Sequence, residues 1–226
     1  MARMRPQPAF LFDLDGTLVD SVYQHVVAWR EALAEAGIDL SVWRIHRRIG
    51  MSGGLFVHAL AAETGVRLDP AEVERLQDLH ARHYAGQREA VRPLPGAGEL
   101  LAHLTATGVR WAIATSARGD SARPTMAALG VPADVPVVTR DEVRYAKPDP
   151  DLFLTAAERL GVDPAHALVV GDSVWDVLAA RRAGALAVGL LSGGYGRDEL
   201  ERAGAFRVYA DPAEMLRHLH ELGVRL

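Results

Sequence analysis

The feature that most constrains the fold of this chain is a series of short apolar runs that alternate with helix-like stretches. The first run, residues 9–14, is apolar and aromatic and is closed by Asp15-Gly16, so it predicts a buried strand that ends in carboxylates. Further strands are predicted at 109–115, 135–139, 167–170, 186–190 and 206–209, with helices at 96–107, 121–129, 150–160, 174–183, 197–203 and 212–222. Strands that alternate with helices are joined by right-handed crossovers, and they predict an α/β fold with a doubly wound, mostly parallel sheet.

The segment from 20 to 91 differs from the rest of the chain because it contains no convincing strand pattern. Its apolar residues recur instead at helical spacing. The first of these are Val22, Val26, Trp29 and Leu33. The proline- and glycine-rich stretch 92–96 then has the composition of a return linker. We therefore expect two domains, an α/β core formed by 1–19 and 92–226 and an inserted all-helical domain formed by 20–91.

The composition excludes several kinds of site. The chain has no cysteine, so disulfides, thiolate zinc sites and cysteine nucleophiles are impossible. Its formal net charge of −4 argues against a nucleic-acid partner. Its apolar runs are too short for a membrane span or a secretory signal. We therefore expect a cytoplasmic protein with no membrane partner, either a monomer or a weak dimer.

The strongest local signal is Asp13-Leu14-Asp15-Gly16-Thr17, at the end of the first predicted strand. Ligands of open α/β sheets bind beyond the carboxyl ends of the strands. Two carboxylates placed there raise each other's pKa unless a cation lies between them. Gly16 lets the backbone approach an anion closely, because it has no side chain. The motif therefore predicts a site for a cation and a bound anion.

A second acidic pair follows the run at 167–170. Asp172 comes just after this run, and Asp176 lies four residues later, one turn into a predicted helix. Both carboxylates can therefore face one centre. Hard carboxylate oxygens, in a chain without cysteine, favour Mg²⁺ over a soft metal.

Two further features supply groups that suit a phosphate. The strand predicted at 109–115 ends in hydroxyls, Thr115 and Ser116, which can donate hydrogen bonds to phosphate oxygens. Lys147 is the only lysine among the 25 basic residues. Arginine replaces lysine readily on a solvated surface, but not where a compact ammonium must contact one atom. This bias favours a specific contact for Lys147 over an ordinary surface position.

The order of these motifs resembles that of the haloacid dehalogenase superfamily of phosphatases. The order is Asp-x-Asp, a strand-end Thr-Ser, Lys-Pro and Gly-Asp-Ser-x-x-Asp, and the resemblance covers the whole chain. It implies a Rossmann-like core with a helical cap, and we call 20–91 the cap. It also implies that Asp13 is the nucleophile and Asp15 the acid and base, with Thr115 and Lys147 binding phosphate.

The resemblance implies Mg²⁺ as the cofactor. The implied metal ligands are Asp13, the Asp15 carbonyl and Asp172, and Asp176 supports them. In the implied reaction Asp13 attacks a small phosphorylated metabolite, and water hydrolyses the aspartyl-phosphate that forms. We therefore expect a Mg²⁺-dependent phosphatase similar to phosphoglycolate phosphatases.

Three other functions are weighed against this expectation. Dehalogenases of the superfamily lack the second aspartate of the first motif, so Asp15 argues against their chemistry. A phosphomutase similar to β-phosphoglucomutase stays open, because His25 and Trp29 resemble the entry to its cap. A non-enzymatic phospho-acceptor switch is a remote alternative. Receiver domains are much shorter, and their acidic pair does not also supply the phosphorylated residue.

The cap carries the predicted determinants of specificity. The polar, glycine-rich stretch 47–54 lies at about the position of the family's substrate-specificity loop. Arg48 in this stretch is predicted to pair with a second anion of the substrate, such as a carboxylate. Four other histidines are predicted to lie on solvated helix faces. They are His80, His83, His218 and His220.

Overall fold

A computed structural model describes residues 7–224 of the protein. The strands in this part of the chain are β1 (Ala9–Phe12), β2 (Val19–Asp20), β3 (Arg92–Pro93), β4 (Trp111–Ala114), β5 (Val137–Val138), β6 (Ala167–Gly171), β7 (Leu186–Leu190) and β8 (Arg207–Tyr209). Six of them form one sheet in the order β5-β4-β1-β6-β7-β8, and every neighbouring pair in it is parallel. The predicted α/β fold with a parallel sheet is confirmed, and the six predicted strands form it.

The first strand lies at the centre of this sheet. Phe10 is in register with Trp111 of β4 on one side and with Leu168 of β6 on the other. The chain builds outward from β1 through β4 to β5, then crosses back and builds outward through β6, β7 and β8. The strand order therefore reverses beside β1, and ligands of open α/β sheets bind at such a point.

The helices cover both faces of the sheet, as a doubly wound fold requires. The helices of residues 7–224 are α1 (Val22–Glu35), α2 (Val42–His46), α3 (Gly53–Thr64), α4 (Pro70–Ala85), α5 (Ala97–Ala106), α6 (Gly119–Ala128), α7 (Asp151–Leu160), α8 (Val174–Ala183), α9 (Arg197–Ala203) and α10 (Pro212–Arg217). Successive side chains of β1 point to opposite faces. Phe10 and Phe12 pack with α5, α6 and α10, whereas Leu11 packs with α7, α8 and α9.

The cap helices α1 to α4 have an apolar cluster of their own. Trp29 of α1, Ile45 of α2, Phe56 of α3 and Leu76 of α4 belong to it, and each is at most 5% exposed. Asp69 begins α4 with a capping box, in which it exchanges hydrogen bonds with Glu72. The cap therefore buries apolar surface separately from the two faces of the sheet.

A short sheet at the entrance to the cap differs from the sequence prediction. Val19 and Asp20 of β2 pair antiparallel with Pro93 and Arg92 of β3, where the chain enters and leaves the cap. Strands of two residues are too short to show an alternating pattern, so the sequence gives no signal for them. Among residues 7–224, no helix is long and apolar enough to cross a membrane.

Candidate active site

The motif residues meet at the carboxyl edge of the sheet, beside the central strand. Asp13 follows β1, Thr115 follows β4 and Asp172 follows β6. Each strand ends at this edge, so the parallel sheet brings together side chains that lie far apart in sequence. The carboxylates of Asp13, Asp172 and Asp176 converge there, with one oxygen of each within 4.8 Å of the others.

This acidic cluster is buried, and burial makes its charge costly. Burial raises the pKa of Asp13 to about 7, with Lys147 opposing the rise and Asp176 adding to it. Burial, together with the charges of Asp176 and Asp13, raises the pKa of Asp172 well above its usual value. Convergent buried carboxylates of this kind require a cation between them to stay ionised. Their hard oxygens fit Mg²⁺, so the residues present suit the metal that the sequence predicts.

Lys147 supplies a fixed positive charge to the same cluster. Its side chain is fully buried, and Nζ contacts Asp13 Oδ1 and lies 2.9 Å from Asp176 Oδ1. Burial by itself lowers the pKa of Lys147, but Asp13 and Asp176 more than offset this and raise it above its usual value. The specific contact predicted for the lone lysine is therefore present, and it involves the predicted nucleophile.

The loop after β1 is held against Asp172 by its small residues. Gly16 has a φ of +78°, and a Cβ at this position would lie 2.6 Å from Asp172 Oδ2. A side chain would therefore be both strained and sterically blocked. Thr17 donates a hydrogen bond of 3.1 Å to Asp172 Oδ1, and Ser192 donates one of 2.6 Å to the Gly16 carbonyl. These contacts fix the backbone that follows Asp13.

Asp15 lies apart from the acidic cluster and faces the cap. Its Oδ1 accepts a hydrogen bond of 2.6 Å from Ser21 and lies 3.2 Å from His25 Nε2. Burial raises the pKa of Asp15, but the His25 and Ser21 contacts outweigh it and hold the pKa below its usual value. These two contacts hold the Asp15 carboxyl group on the cap side and favour its ionised form. The metal contact predicted for Asp15 concerned its main-chain carbonyl, and it stays a prediction.

An aromatic cluster on the cap surrounds His25. His25 Nδ1 lies 3.2 Å from His80 Nε2, and the His25 ring stacks on Tyr84 with centroids 3.9 Å apart. The His80 ring stacks on Trp29 at 4.2 Å. Burial, helped by His25, lowers the pKa of His80 well below its usual value. The prediction of a solvated helix face is therefore wrong for His80, which packs inward toward the site.

The strand-end hydroxyls predicted to bind phosphate have different surroundings. Thr115 is buried and accepts a hydrogen bond of 3.0 Å from the Ala117 amide, which leaves its own proton available. Ser116 donates a hydrogen bond of 3.1 Å to the Gly50 carbonyl of the cap. Thr115 is therefore placed for a bound anion, whereas Ser116 joins the core to the cap in this structure.

A cavity of about 500 Å³ lies between the core and the cap. Residues of the core and the cap both line it. They include Asp13, Asp15, His25, Arg48, Met51, Gln77, His80, Thr115, Ser116 and Arg118. Arg48 is on the wall as predicted, but its Nη2 pairs with Glu63 and its Nη1 donates a bond of 2.9 Å to the Arg44 carbonyl. Its contact with a substrate anion stays a prediction.

Three residues of the site escaped the functional interpretation of the sequence. Ser21 was not singled out, and Tyr84 and His80 are far from the motifs in sequence. The positions of His25 and Trp29 at the start of the cap were the available sequence signal. They indicated the phosphomutase alternative and not the contact of His25 with Asp15. The pairing of α1 with α4 creates the cluster, and helical periodicity does not specify which helices pack together.

Comparisons with known proteins are consistent with this site. The haloacid dehalogenase-like hydrolase family matches residues 8–184. Hexitol phosphatase A of Escherichia coli is 36% identical over 177 residues, which cover 77% of this chain and 79% of the relative. Phosphoglycolate phosphatase of Rhodospirillum rubrum is 36% identical over 214 residues, which cover 92% of this chain and 88% of the relative.

Two solved structures with the same fold are named differently, one as a hydrolase and the other as a β-phosphoglucomutase. A hydrolase from Pseudomonas syringae is 53% identical with a TM-score of 0.93, and the match covers 95% of this chain and 99% of that chain. The β-phosphoglucomutase of Clostridium difficile is 21% identical with a TM-score of 0.82, and the match covers 96% and 97%. At that identity the second likeness shows the fold alone.

Proposed function

The chain belongs to the haloacid dehalogenase-like hydrolases, and from this premise we propose that it is a Mg²⁺-dependent phosphatase of small phosphorylated metabolites, similar to phosphoglycolate phosphatases. The reaction runs through an aspartyl-phosphate on Asp13. The observation that carries the proposal is the position of Lys147. Its fully buried ammonium contacts both Asp13 and Asp176, where an incoming phosphate needs its charge offset.

The chain's own residues account for the attack on phosphorus. An Asp13 oxygen forms a bond to phosphorus as the bond from phosphorus to the alcohol oxygen breaks. Attack by a carboxylate on a phosphate dianion is opposed by like charge, and Lys147 offsets that repulsion. The Thr115 hydroxyl and Gly16, which lets the backbone approach an anion closely, lie where they orient the phosphate oxygens.

Asp15 moves the protons of both steps. In its ionised form, which its lowered pKa favours, Asp15 takes a proton from the water that attacks the aspartyl-phosphate; in its protonated form it donates that proton to the departing alcohol oxygen. The bond between phosphorus and Asp13 then breaks and restores the carboxylate. Because Asp15 bonds Ser21 and His25 outside the acidic cluster, its carboxyl group is positioned separately from the nucleophile.

The metal of the proposal would be held by Asp13, Asp172 and the Asp15 carbonyl, with Asp176 in support. When bound, Mg²⁺ supplies charge that stabilises the phosphate in the transition state. Asp176 is fixed by its own contacts, since its Oδ2 accepts bonds of 2.6 Å from the Ser173 hydroxyl and 3.1 Å from the Ser173 amide. Thr17 orients Asp172 in the same way.

Phosphate release from p-nitrophenyl phosphate tests the proposal. We expect repeated turnovers with Mg²⁺, loss of activity with EDTA, and recovery when Mg²⁺ is restored. A single phosphorylation without turnover would indicate the phospho-acceptor switch and contradict the proposal. Full activity after metal removal would contradict the Mg²⁺ dependence.

The phosphomutase is separated from the phosphatase by its products. A mutase protects its aspartyl-phosphate from water, so it converts β-glucose 1-phosphate to glucose 6-phosphate and releases little phosphate. We expect phosphate without glucose 6-phosphate from any sugar phosphate that is turned over. Formation of the isomer in excess of free phosphate would favour the mutase.

We further propose that the core (1–19 and 92–226) and the cap (20–91) are separate domains, with the cap closing over the substrate. The separate apolar cluster of the cap and the short β2–β3 sheet at its entrance support this division. The proposed location is the cytoplasm, and the proposed assembly is a monomer or weak dimer.

A further inference from the structure

The arginine side chains on the cavity wall already make contacts within the protein. Among residues 7–224, three arginines line the cavity, namely Arg48, Arg118 and Arg140, together with the acidic residues Asp13, Asp15, Glu74 and Asp141. A substrate with a second anion, such as a carboxylate, needs a cation on this wall whose charge is free. The partners of these arginines therefore bear directly on the chemical class of the substrate.

Arg48, which the sequence predicts to bind a second anion of the substrate, forms an ion pair with Glu63. Its side chain is 20% exposed and that of Glu63 is 23% exposed, so water screens this pair only in part. Its other terminal nitrogen, Nη1, donates to the Arg44 carbonyl at 2.9 Å. A substrate carboxylate would have to compete with Glu63 for the charge of Arg48.

The two arginines on the core side of the cavity, Arg140 and Arg118, also make contacts within the protein. Arg140 has no ion pair among residues 7–224, but two of its nitrogens are occupied: Nη1 donates a bond of 2.7 Å to the Val143 carbonyl and Nη2 one of 3.5 Å to the Arg144 carbonyl. Arg118 Nε lies 3.3 Å from Asp141 Oδ1, and the Arg118 side chain is 61% exposed. Water already solvates such a charge, so it contributes little attraction to a bound anion.

Two neutral polar side chains on the cavity wall differ from these arginines. Among residues 7–224, neither the Gln77 amide nor the Ser121 hydroxyl has a hydrogen-bond partner, and both residues line the cavity half-buried. The apolar surface beside them comes from Met51 and the aromatic cluster. A volume of about 500 Å³ is within the range of pockets that hold an organic ligand larger than a two-carbon acid.

We propose that the substrate is a phosphate monoester of an uncharged, hydroxyl-rich alcohol, such as a sugar or polyol, rather than a small phosphorylated carboxylate. The proposal rests on the phosphatase function proposed above. Hydroxyl groups of the alcohol meet Gln77 and Ser121, and its carbon skeleton lies on Met51 and the aromatic side chains. Glu63 keeps Arg48 from selecting an acid.

A substrate panel gives the first test. We compare kcat/KM for sorbitol 6-phosphate and glucose 6-phosphate with that for phosphoglycolate and 3-phosphoglycerate, and include p-nitrophenyl phosphate. The expected preference is about tenfold or more for the neutral substrates. Equal or better turnover of the two acids overturns the proposal.

The second test is a gain of function. Glu63→Gln removes the negative charge that pairs with Arg48 and also with Arg44, so we expect kcat/KM for phosphoglycolate to rise about fivefold relative to sorbitol 6-phosphate. The matched control is Glu35→Gln, which removes a salt bridge of the cap with Arg82, away from the cavity, and should leave the ratio unchanged. An unchanged ratio in a folded Glu63→Gln protein overturns the proposal.

A loss-of-function variant keeps the proposal testable if Glu63→Gln does not fold. Gln77→Ala should lose at least about fivefold more kcat/KM on sorbitol 6-phosphate than on phosphoglycolate. Equal losses on the two substrates count against it.

The panel also separates this proposal from the phosphatase function on which it rests. Lack of turnover of every substrate, p-nitrophenyl phosphate included, would defeat the phosphatase function itself. Hydrolysis of p-nitrophenyl phosphate with a preference for the acids would defeat this inference alone.

Discussion

The core wall and the cap wall of the cavity differ in how their charges are arranged. On the core side, Asp13 lines the cavity with Lys147 and Asp172 behind it; all three are at most 4% exposed, and their charges face one another. On the cap wall Arg48 is paired with Glu63, and Gln77 is half-buried and uncharged. The core wall therefore concentrates charge on one point, whereas the cap wall offers a broad and nearly neutral surface.

The difference reflects what each wall has to do. Charge at a reacting phosphate is most effective when it is buried and preorganised, because little reorganisation is then needed during the reaction. Selection of an alcohol depends instead on shape, stacking and single hydrogen bonds, each with a smaller effect. Changes on the core wall should therefore have the largest effects on rate, and changes on the cap wall should have smaller effects.

The two walls meet at the stretch 47–50. The Arg47 carbonyl accepts hydrogen bonds of 2.7 Å from Tyr195 and 3.2 Å from Trp175 of the core. Gly50 has a φ of +96°, and a Cβ there would lie 2.7 Å from Ser173 Oγ. Ser173 also bonds Asp176, so the cap loop rests directly on the residues that support the acidic cluster.

The largest expected effect is that of Asp13→Asn. An amide cannot act as the nucleophile, so we expect kcat to fall by about 10³-fold or more, which corresponds to ~4 kcal/mol. Phosphate release under single- and multiple-turnover conditions measures it, with circular dichroism as the check on folding. Asp78→Asn, at an exposed position of α4, is the control. Near-normal activity in protein free of other phosphatases would refute the assignment.

Lys147→Arg tests the core wall while the positive charge is kept. The larger planar guanidinium cannot occupy the buried space between Asp13 and Asp176, so we expect a loss of about 10²-fold in kcat/KM, or ~2.7 kcal/mol. The control is the reverse exchange at a surface position, Arg202→Lys, where the side chain is 82% exposed. Activity within threefold of the wild type would mean that the lone lysine is an accident of composition.

His25→Asn tests the point where the cap wall touches the chemistry. His25 positions Asp15 from a distance of 3.2 Å, so its loss should lower kcat about tenfold and leave KM within about twofold. His58→Asn, at an exposed position of α3, is the matched control. A change confined to KM would place His25 in substrate binding instead.

The smallest expected effect is a pH dependence of stability that comes from His80. Burial lowers the pKa of His80, so the unfolded chain takes up a proton near pH 6.5 while the folded protein does not. The free energy of unfolding should therefore fall as the pH drops below about 6.5.

Urea unfolding of the wild type and His80→Gln at pH 7.5 and 5.5 measures this effect. The variant should lose about 1 kcal/mol less between the two pH values. His58→Gln should behave as the wild type does. Equal pH dependence in all three proteins would show that His80 is charged in the folded state.

The reacting end of the site could be predicted from the sequence because its residues follow strands. A strand of a parallel sheet presents its carboxyl end at one edge, so Asp13, Thr115 and Asp172 were expected at the same edge once the sheet was predicted. The lone lysine among arginines marked Lys147 through composition. The resemblance to the family implied that Lys147 binds phosphate, and the structure adds its contact with Asp13.

The cap could be predicted as helical, but its contacts could not. Helical periodicity marks the apolar face of α1 and α4 and leaves open which helix each face meets. His80 was therefore predicted to be solvated, although it stacks on Trp29. Arg48 was predicted to meet an anion, and the anion in the structure is the protein's own Glu63.

The sequence by itself determined the sheet, its acidic edge and the helical nature of the cap. Local order along the chain sets these, because the period of the apolar residues and the residues at strand ends are local properties. Only the tertiary structure decided which charges on the cavity wall are neutralised and which polar groups stay free. That outcome depends on distances between helices packed from separate parts of the chain, and Coulomb and hydrogen-bond energies change steeply with those distances.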